Sequence, residues 1–222
     1  MKKVSILAAS LLCVTIGGVY ATWTYATKNV TDAEGNVSVG LTGVVDSDGT
    51  YGSYSVAINV ELGIDPKADG TDYEAVLNFY EYAEGESFGA PIASDAYATT
   101  AAVVITYTPA ASGIPDDVKA YGVETTWQLV SPTAKEDWKY GESTIFSKID
   151  TATKTIAVSG DSTDWTRNSD GSFTYIITVQ TLSNMITLST GIKLDTYDKY
   201  TAFDTALGTT PFTITVTDGI AD

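Results

Sequence analysis

The sequence contains no histidine, and Cys13 is its single cysteine. Without histidine the chain cannot form a Ser-His-Asp or Cys-His nucleophile, and the usual zinc sites need His or Cys ligands. One thiol cannot close a disulfide within the chain, so stability must come from a buried core. We therefore expect no enzymatic activity and no catalytic residue. No cofactor is expected, and calcium is the one metal ion that the composition leaves open.

Positive charge is scarce as well. Twelve Lys and Arg residues stand against 28 Asp and Glu residues, which gives a formal net charge of −16. A nucleic-acid surface needs Lys and Arg to neutralise phosphates, and anionic lipid headgroups attract basic segments. The composition therefore excludes nucleic acid as a partner and limits membrane contact to export. It favours solubility outside the cell.

No apolar run is long enough to cross a bilayer comfortably. Residues 1–3 are Met-Lys-Lys, and an apolar stretch over residues 4–16 is followed by small residues that end at Ala21. A spanning helix needs about 20 apolar residues, whereas this arrangement is typical of a secretory signal peptide. We expect a signal peptide over residues 1–21, cut by signal peptidase between Ala21 and Thr22, with Ala26 as an alternative end. The expected product is secreted, and residues 22–222 form a single domain.

Apolar and polar residues alternate in many short segments, which is the pattern of half-buried strands. The alternation is most regular in residues 54–62 and 212–217. The other predicted strands cover residues 37–41, 73–83, 101–108, 123–129, 143–149, 153–159 and 173–182. Asp- and Gly-containing turns such as Asn168–Gly171 separate them. The fold class is therefore all-β, a single antiparallel β-sandwich of about nine or ten strands, jelly-roll-like in arrangement.

One helical insertion is expected near residues 195–207. Tyr197, Tyr200, Phe203 and Leu207 follow one another at three- and four-residue spacing, Asp195 can cap the start, and Gly208 can end the helix. A further helical turn is predicted within residues 134–140, after Pro132.

Two short Asp-rich segments are candidate calcium ligands. Asp46 and Asp48 lie in the first, and Asp161 and Asp164 lie in the second. Hard cations prefer such carboxylate oxygens. Neither segment continues into a twelve-residue loop that ends in Glu, so neither is an EF-hand. The alternative is that both are ordinary hairpin turns.

Trp138 and Trp165 are candidates for stacking against a ligand, because both lie among polar residues. An exposed indole can stack on a sugar ring. This keeps open a second function, an extracellular adhesion or carbohydrate-binding β-sandwich module, whose binding could depend on calcium. The alternative is that each indole covers the edge of the core.

The segment that follows the predicted cut also reads as a strand. Thr22, Trp23, Thr24, Tyr25 and Ala26 alternate small and aromatic side chains. Such a strand can complete its own sheet, or it can add to the exposed sheet edge of a neighbour. A head-to-tail contact of the second kind builds a fibre if the contact does not close on itself.

Residues 17–23, Gly-Gly-Val-Tyr-Ala-Thr-Trp, carry aromatic side chains on both sides of the predicted cut. With this arrangement of aromatic residues, the first 25 or so residues resemble the signal-peptide end of the TasA/camelysin family, whose members are secreted by Gram-positive bacteria. In that family a Gly-Gly pair, an aromatic, an Ala and a second aromatic follow in the same order, and a dedicated signal peptidase, SipW, makes the cut.

The resemblance implies a subunit of a biofilm matrix or surface fibre with a jelly-roll-like fold. It implies that the chain self-associates, or joins another matrix protein, by donating an N-terminal strand, here Thr22 to about Val30. Some relatives are described as metallopeptidases, an activity that does not carry over to a chain without histidine. The strong acidity of this chain is a departure from the Lys-rich familiar members.

Overall fold

The structure is a computed structural model. It describes residues 12–15, 19–22, 37–47, 51–69, 72–83, 89–110, 123–151, 153–158, 164–194, 197–208 and 212–220.

Strands dominate this part of the chain, and they are more numerous than the nine or ten predicted. In chain order they are β1 (Leu12–Thr15), β2 (Val19–Thr22), β3 (Val37–Val39), β4 (Leu41–Asp46), β5 (Gly52–Ile58), β6 (Val60–Asp69), β7 (Asp72–Glu81), β8 (Ala101–Pro109), β9 (Val123–Val130), β10 (Lys139–Tyr140), β11 (Ser143–Thr144), β12 (Phe146–Ile149), β13 (Lys154–Val158), β14 (Thr166–Arg167), β15 (Phe173–Thr178), β16 (Ile186–Leu188) and β17 (Phe212–Ile220). The helices are a 3₁₀ turn at Ser94–Ala96, α1 (Val179–Met185) and α2 (Tyr197–Leu207).

Two four-stranded sheets form the sandwich, in the strand orders β13-β9-β17-β4 and β14-β15-β8-β5. The hydroxyls of Tyr54 on β5 and Thr125 on β9 lie 2.8 Å apart and form a buried hydrogen bond between the sheets. All pairings within the two sheets are antiparallel except one, because β17 runs parallel to β4 from Phe212 opposite Leu41 to Thr217 opposite Asp46. The predicted all-β sandwich is confirmed, and the jelly-roll arrangement stays a prediction.

A third sheet has the order β3-β6-β7, and shorter antiparallel pairs join β10 to β11, β12 to β16 and β1 to β2. The described buried apolar side chains of the sandwich, of the third sheet and of both helices belong to one hydrophobic cluster. Aromatic residues such as Trp127, Tyr107 and Phe212 lie fully or almost fully buried in it. This core replaces the disulfides that the chain cannot form.

The predicted strand over residues 54–62 is two strands that join different sheets. Asn59 separates β5 from β6; its amide donates to Ala102 O, and its carbonyl accepts from the Tyr82 amide. The alternation continues across the break, since Tyr54, Val56, Val60 and Leu62 are all buried. Periodicity alone could not reveal that the partner strand changes at Asn59. The predicted strand over residues 37–41 divides in the same way, between β3 and β4.

The predicted strand over residues 173–182 is wrong after Thr178. At this point the chain turns into α1, because the Thr178 hydroxyl accepts a hydrogen bond from the Thr181 amide and caps the helix. Val179, Leu182 and Met185 then share the buried side of α1. The apolar run that suggested a doubly buried strand is therefore partly the inner face of a short helix.

The helix predicted near residues 195–207 is confirmed as α2, and Asp195 lies outside the described residues. Gly208 ends α2 with a φ of +72°, a conformation that glycine adopts without steric cost. The helical turn predicted over residues 134–140 is a single turn, closed by the Asp137 amide on Ala134 O, before β10 begins. No helix in the described ranges is both long and apolar enough to span a membrane.

Candidate functional site

The candidate site is the side of the sandwich where β4 and β5 lie. Each is the last strand of its sheet, since β4 pairs only with β17 and β5 pairs only with β8 among the described strands. The outer edge of each strand therefore carries backbone N–H and C=O groups that no described strand pairs. Such an edge is a template for an added strand.

Gly43 brings the two edge strands close together. A Cβ atom on this residue would lie 2.6 Å from Val56 Cγ1 and 2.9 Å from Val56 Cβ. The close approach therefore needs a residue without a side chain at this position of β4. Val56 itself is fully buried. The two edge strands are therefore in contact, and both edges lie at the same side of the sandwich.

The N-terminal hairpin of β1 and β2 lies at this side. β2 pairs with β1 from Val19 opposite Thr15 to Thr22 opposite Leu12, and it lies beside β4 and β5 without joining their sheets. The predicted cut between Ala21 and Thr22 falls inside β2. A cut there would remove β1 and three of the four residues of β2 from the side formed by the two edges.

The rest of the predicted donor strand, Trp23 to Ala26 and onward to Val30, lies outside the described residues. The structure therefore places only Thr22 of that segment, as the last residue of β2. The alternative cut after Ala26 also falls outside the described ranges.

The residues predicted as calcium ligands are not brought together by the described chain. Asp46 is exposed at the end of β4, and Asp164 is exposed just before β14 in the other sheet. Asp48 and Asp161 lie outside the described residues. Within the described ranges, no three His, Cys, Asp or Glu side chains are grouped as a metal site would require.

The turn at Asn168–Gly171 is built as the sequence predicts. The Gly171 amide donates to Asn168 O over 3.1 Å, and Gly171 has a φ of +88°. The Asp170 carboxylate accepts hydrogen bonds from the Ser172 amide and hydroxyl, which lower the pKa of Asp170. This Asp and Gly cluster is a hairpin turn that satisfies its own backbone.

Trp138 and Trp165 do not present exposed faces, contrary to the expectation for ligand stacking. Each indole is 6% exposed. Trp138 packs against Phe146 and Phe212, with ring centroids 4.9 and 5.3 Å away. Trp165 packs against Tyr175, 5.8 Å away. A sugar ring cannot reach either face in this conformation, because core residues already cover it.

One cluster of polar side chains was not predicted from the sequence. Asp65 and Asn78 come from neighbouring strands and, with Tyr80, form a hydrogen-bonded cluster. Burial raises the pKa of Tyr200 on α2, and the charges of Asp204 and Asp65 raise it further. No local spacing motif joins Asp65 to Asn78 and Tyr80, so only the pairing of β6 with β7 reveals the cluster.

Comparisons of the chain with family models, with curated proteins and with solved structures gave no match.

Proposed function

We propose that this chain is a secreted, non-enzymatic structural protein, a subunit of a surface fibre or biofilm matrix that assembles by strand addition. The N-terminal segment that begins at Thr22 is the donor. The receiving edge belongs to another copy of the chain.

The observation that carries the proposal is the position of β2 beside the two edge strands. β4 and β5 end their sheets on the same side, and the chain segment that contains the predicted cut lies there. Removal of residues 1–21 would take away most of the hairpin that occupies this side. It would also free a new N-terminus at Thr22, next to the edge.

Edge pairing gives such an assembly its binding energy through main-chain hydrogen bonds, and side-chain pockets give it specificity. The donor lies at the start of the chain and the acceptor is an edge of the folded sheet. The contact therefore joins two different surfaces, and repeating it without closure yields a linear polymer. The aromatic side chains of Trp23 and Tyr25 would supply apolar burial along the added strand.

The scarcity of residues that could carry out catalysis or bind a metal supports a structural role. The sequence has no histidine, and the described acidic residues form no metal-binding group of three. The burial of Trp138 and Trp165 removes the two indoles on which carbohydrate binding was predicted. Strand addition is therefore the better supported of the two functions.

The test compares the processed protein with a variant that lacks residues 22–30. Electron microscopy and light scattering at rising protein concentration measure assembly, and circular dichroism checks that the variant is folded. We expect fibres from the processed protein and folded monomers from the deletion variant. If both proteins remain monomeric at all concentrations, or both form the same fibres, the proposed donor is wrong.

A matched pair of substitutions tests the acceptor edge. Val44→Lys places a charge on edge strand β4, where charged residues oppose strand addition. Val130→Lys is the control, because Val130 is 38% exposed at the end of β9, a strand that β17 separates from β4. We expect the first variant to block assembly and the second to leave it intact. Equal assembly by both variants would exclude the β4 edge.

A further inference from the structure

Three neighbouring strands of one sandwich sheet carry no charge. The sheet has the order β14-β15-β8-β5, and Asp, Glu, Lys and Arg are all missing from β15, β8 and β5. These strands contain 6, 9 and 7 residues, and 18% of the whole chain is charged, so about four charged residues would be expected in them. In the other sheet, β13, β9, β17 and β4 each contain a charged residue. The absence of charge is therefore a property of one side of the sandwich.

The outward-facing side chains of these strands form two rows. Alternate residues are buried in the core, as Val56 and Ile105 are, so the residues between them face outwards. The register aligns Ala57 of β5 and Ile176 of β15 with Val104 of the central strand β8. The next row carries hydroxyl groups and reaches β14; it consists of Ser55, Thr106, Thr174 and Thr166. We call these two rows, one aliphatic and one of hydroxyls, the uncharged face.

The uncharged face is accessible at its aliphatic row. Ile176 is 49% exposed, the most exposed of the large apolar side chains in the described ranges. Arg167 of β14 lies in register with Phe173, and its guanidinium carbon is 6.0 Å from the centre of that ring, so it is on the other side of the sheet from Thr166. Soluble proteins usually protect exposed sheets from association with charged residues. An exposed face without them is typical of an interaction surface.

The net charge of the chain selects the occupant of this face. A formal charge of −16 makes two copies repel each other. Packed sheets lie about 10 Å apart, close to the screening length of about 8 Å at physiological ionic strength, so like charges on two facing sheets would oppose their contact. The uncharged face lets two copies pack without such facing charges, whereas a charged partner would find no group to pair with. We propose that this face packs against the same face of a second copy, sheet against sheet around a two-fold axis.

This contact goes beyond strand addition and does not depend on it. Strand addition uses the outer edge of β4, whereas the uncharged face belongs to the other sheet, so both contacts can form at once. The face covers only about 300 Å² at ordinary strand spacing, less than the roughly 800 Å² per partner of a standard stable interface. Free subunits should therefore pair weakly. Subunits held together in a fibre should pair more fully, because their effective concentration is high.

Sedimentation equilibrium of the processed protein, at concentrations up to about 1 mM, measures the weak contact directly. The Val44→Lys protein is the starting point, since strand addition to β4 is expected to fail in it and fibres would obscure a dimer. We expect a reversible dimer that becomes stronger as the salt concentration rises, because salt screens the repulsion between two acidic subunits. A contact held by ion pairs would respond in the opposite direction.

A matched pair of further substitutions locates the contact. Ile176→Lys should weaken the dimer about tenfold or more, because it places like charges across the two-fold axis. Val130→Lys is the control, since Val130 is 38% exposed on the other sheet and the substitution changes the net charge by the same amount. It should leave the dimer intact. Ile176→Ala adds no charge and should weaken the dimer several-fold, and circular dichroism checks that all variants are folded.

Three results would overturn the proposal: monomers at every concentration and salt level, association that weakens with salt, or an equal loss in the two Lys variants. The outcome for strand addition stays separate. Dimers of Val44→Lys without fibres of the parent processed protein would exclude strand addition and retain this contact. Fibres of the parent protein, with Val44→Lys monomeric throughout, would retain strand addition and exclude the uncharged face.

Discussion

Gly43 of β4 packs so closely against Val56 of β5 that a Cβ atom on Gly43 would lie 2.6 Å from Val56 Cγ1. This contact holds the two edge strands together on the side where β2 lies. Gly43→Ala should therefore destabilise the fold, by about 1–3 kcal/mol, because Val56 is short, branched and fully buried and cannot swing aside. Denaturant unfolding measures the change.

Val56→Ala is the partner for a double-mutant cycle with Gly43→Ala. Alone it should also destabilise, through the loss of buried methyl groups. Combined with Gly43→Ala it should cost less than the sum of the two single changes, since the new methyl group can occupy the space that Val56 leaves. Strict additivity of the two changes would show that the contact is not close.

The hydrogen bond between Tyr54 and Thr125 gives a second prediction. Tyr54→Phe leaves the hydroxyl of Thr125, a fully buried residue, without this partner, so we expect a loss of about 1–3 kcal/mol in the free energy of unfolding. The double variant Tyr54→Phe/Thr125→Val removes both polar groups and should be more stable than Tyr54→Phe alone. Urea unfolding of the three variants decides this, and a double variant less stable than either single one would contradict the account.

Tyr107 predicts an alkaline limit to stability. Burial raises the pKa of Tyr107 to about 12, with a smaller contribution from the charge of Asp218. A folded-state pKa above the unfolded value of about 10 means that the contribution of Tyr107 is complete below pH 10 and is lost as the pH rises through 12. The stability difference between the wild type and Tyr107→Phe should therefore shrink between pH 10 and 12. A difference that stays constant across this range would disprove the shift.

The hydroxyl of Thr178 caps α1, and its removal should destabilise the protein. Thr178→Ala loses the hydrogen bond from the Thr181 amide, for an expected cost of about 0.5–2 kcal/mol. Thr178→Ser retains a hydroxyl and serves as the control, with stability close to the wild type. Thermal unfolding followed by circular dichroism compares them, and equal stability of the Ala and Ser variants would show that the cap contributes nothing.

Alternation of apolar and polar residues predicted most of the described strands, because the two-residue period of a half-buried strand can be recognised from neighbouring residues alone. It could not predict where a strand changes partner, as at Asn59, since the same faces stay buried on both sides of the break. It also missed α1, whose start depends on the single hydroxyl of Thr178. The parallel pairing of β17 with β4 joins segments about 170 residues apart, and no local pattern encodes it.

The candidate site was predictable only in part, for the same reason. The N-terminal strand signal indicated a donor, but the acceptor edge depends on which strands end the sheets, and that is a property of the whole topology. The hydrogen bonds from Asn78 and Tyr80 to Asp65 depend in the same way on the register between β6 and β7. Conversely, Trp138 and Trp165 lie among polar neighbours in sequence and yet are buried, because aromatic residues from other segments cover them.

The most direct test of strand addition uses cysteines introduced into the processed protein. Cys13 lies within the predicted signal peptide, so a processed protein should carry only introduced thiols. Processed Tyr25→Cys and Val44→Cys proteins are mixed under oxidising conditions, and disulfide-linked pairs are measured by non-reducing electrophoresis. We predict efficient cross-linking of this mixture and none when Val130→Cys replaces Val44→Cys. Equal cross-linking to both positions, or none to either, would contradict the addition of the N-terminal strand to the β4 edge.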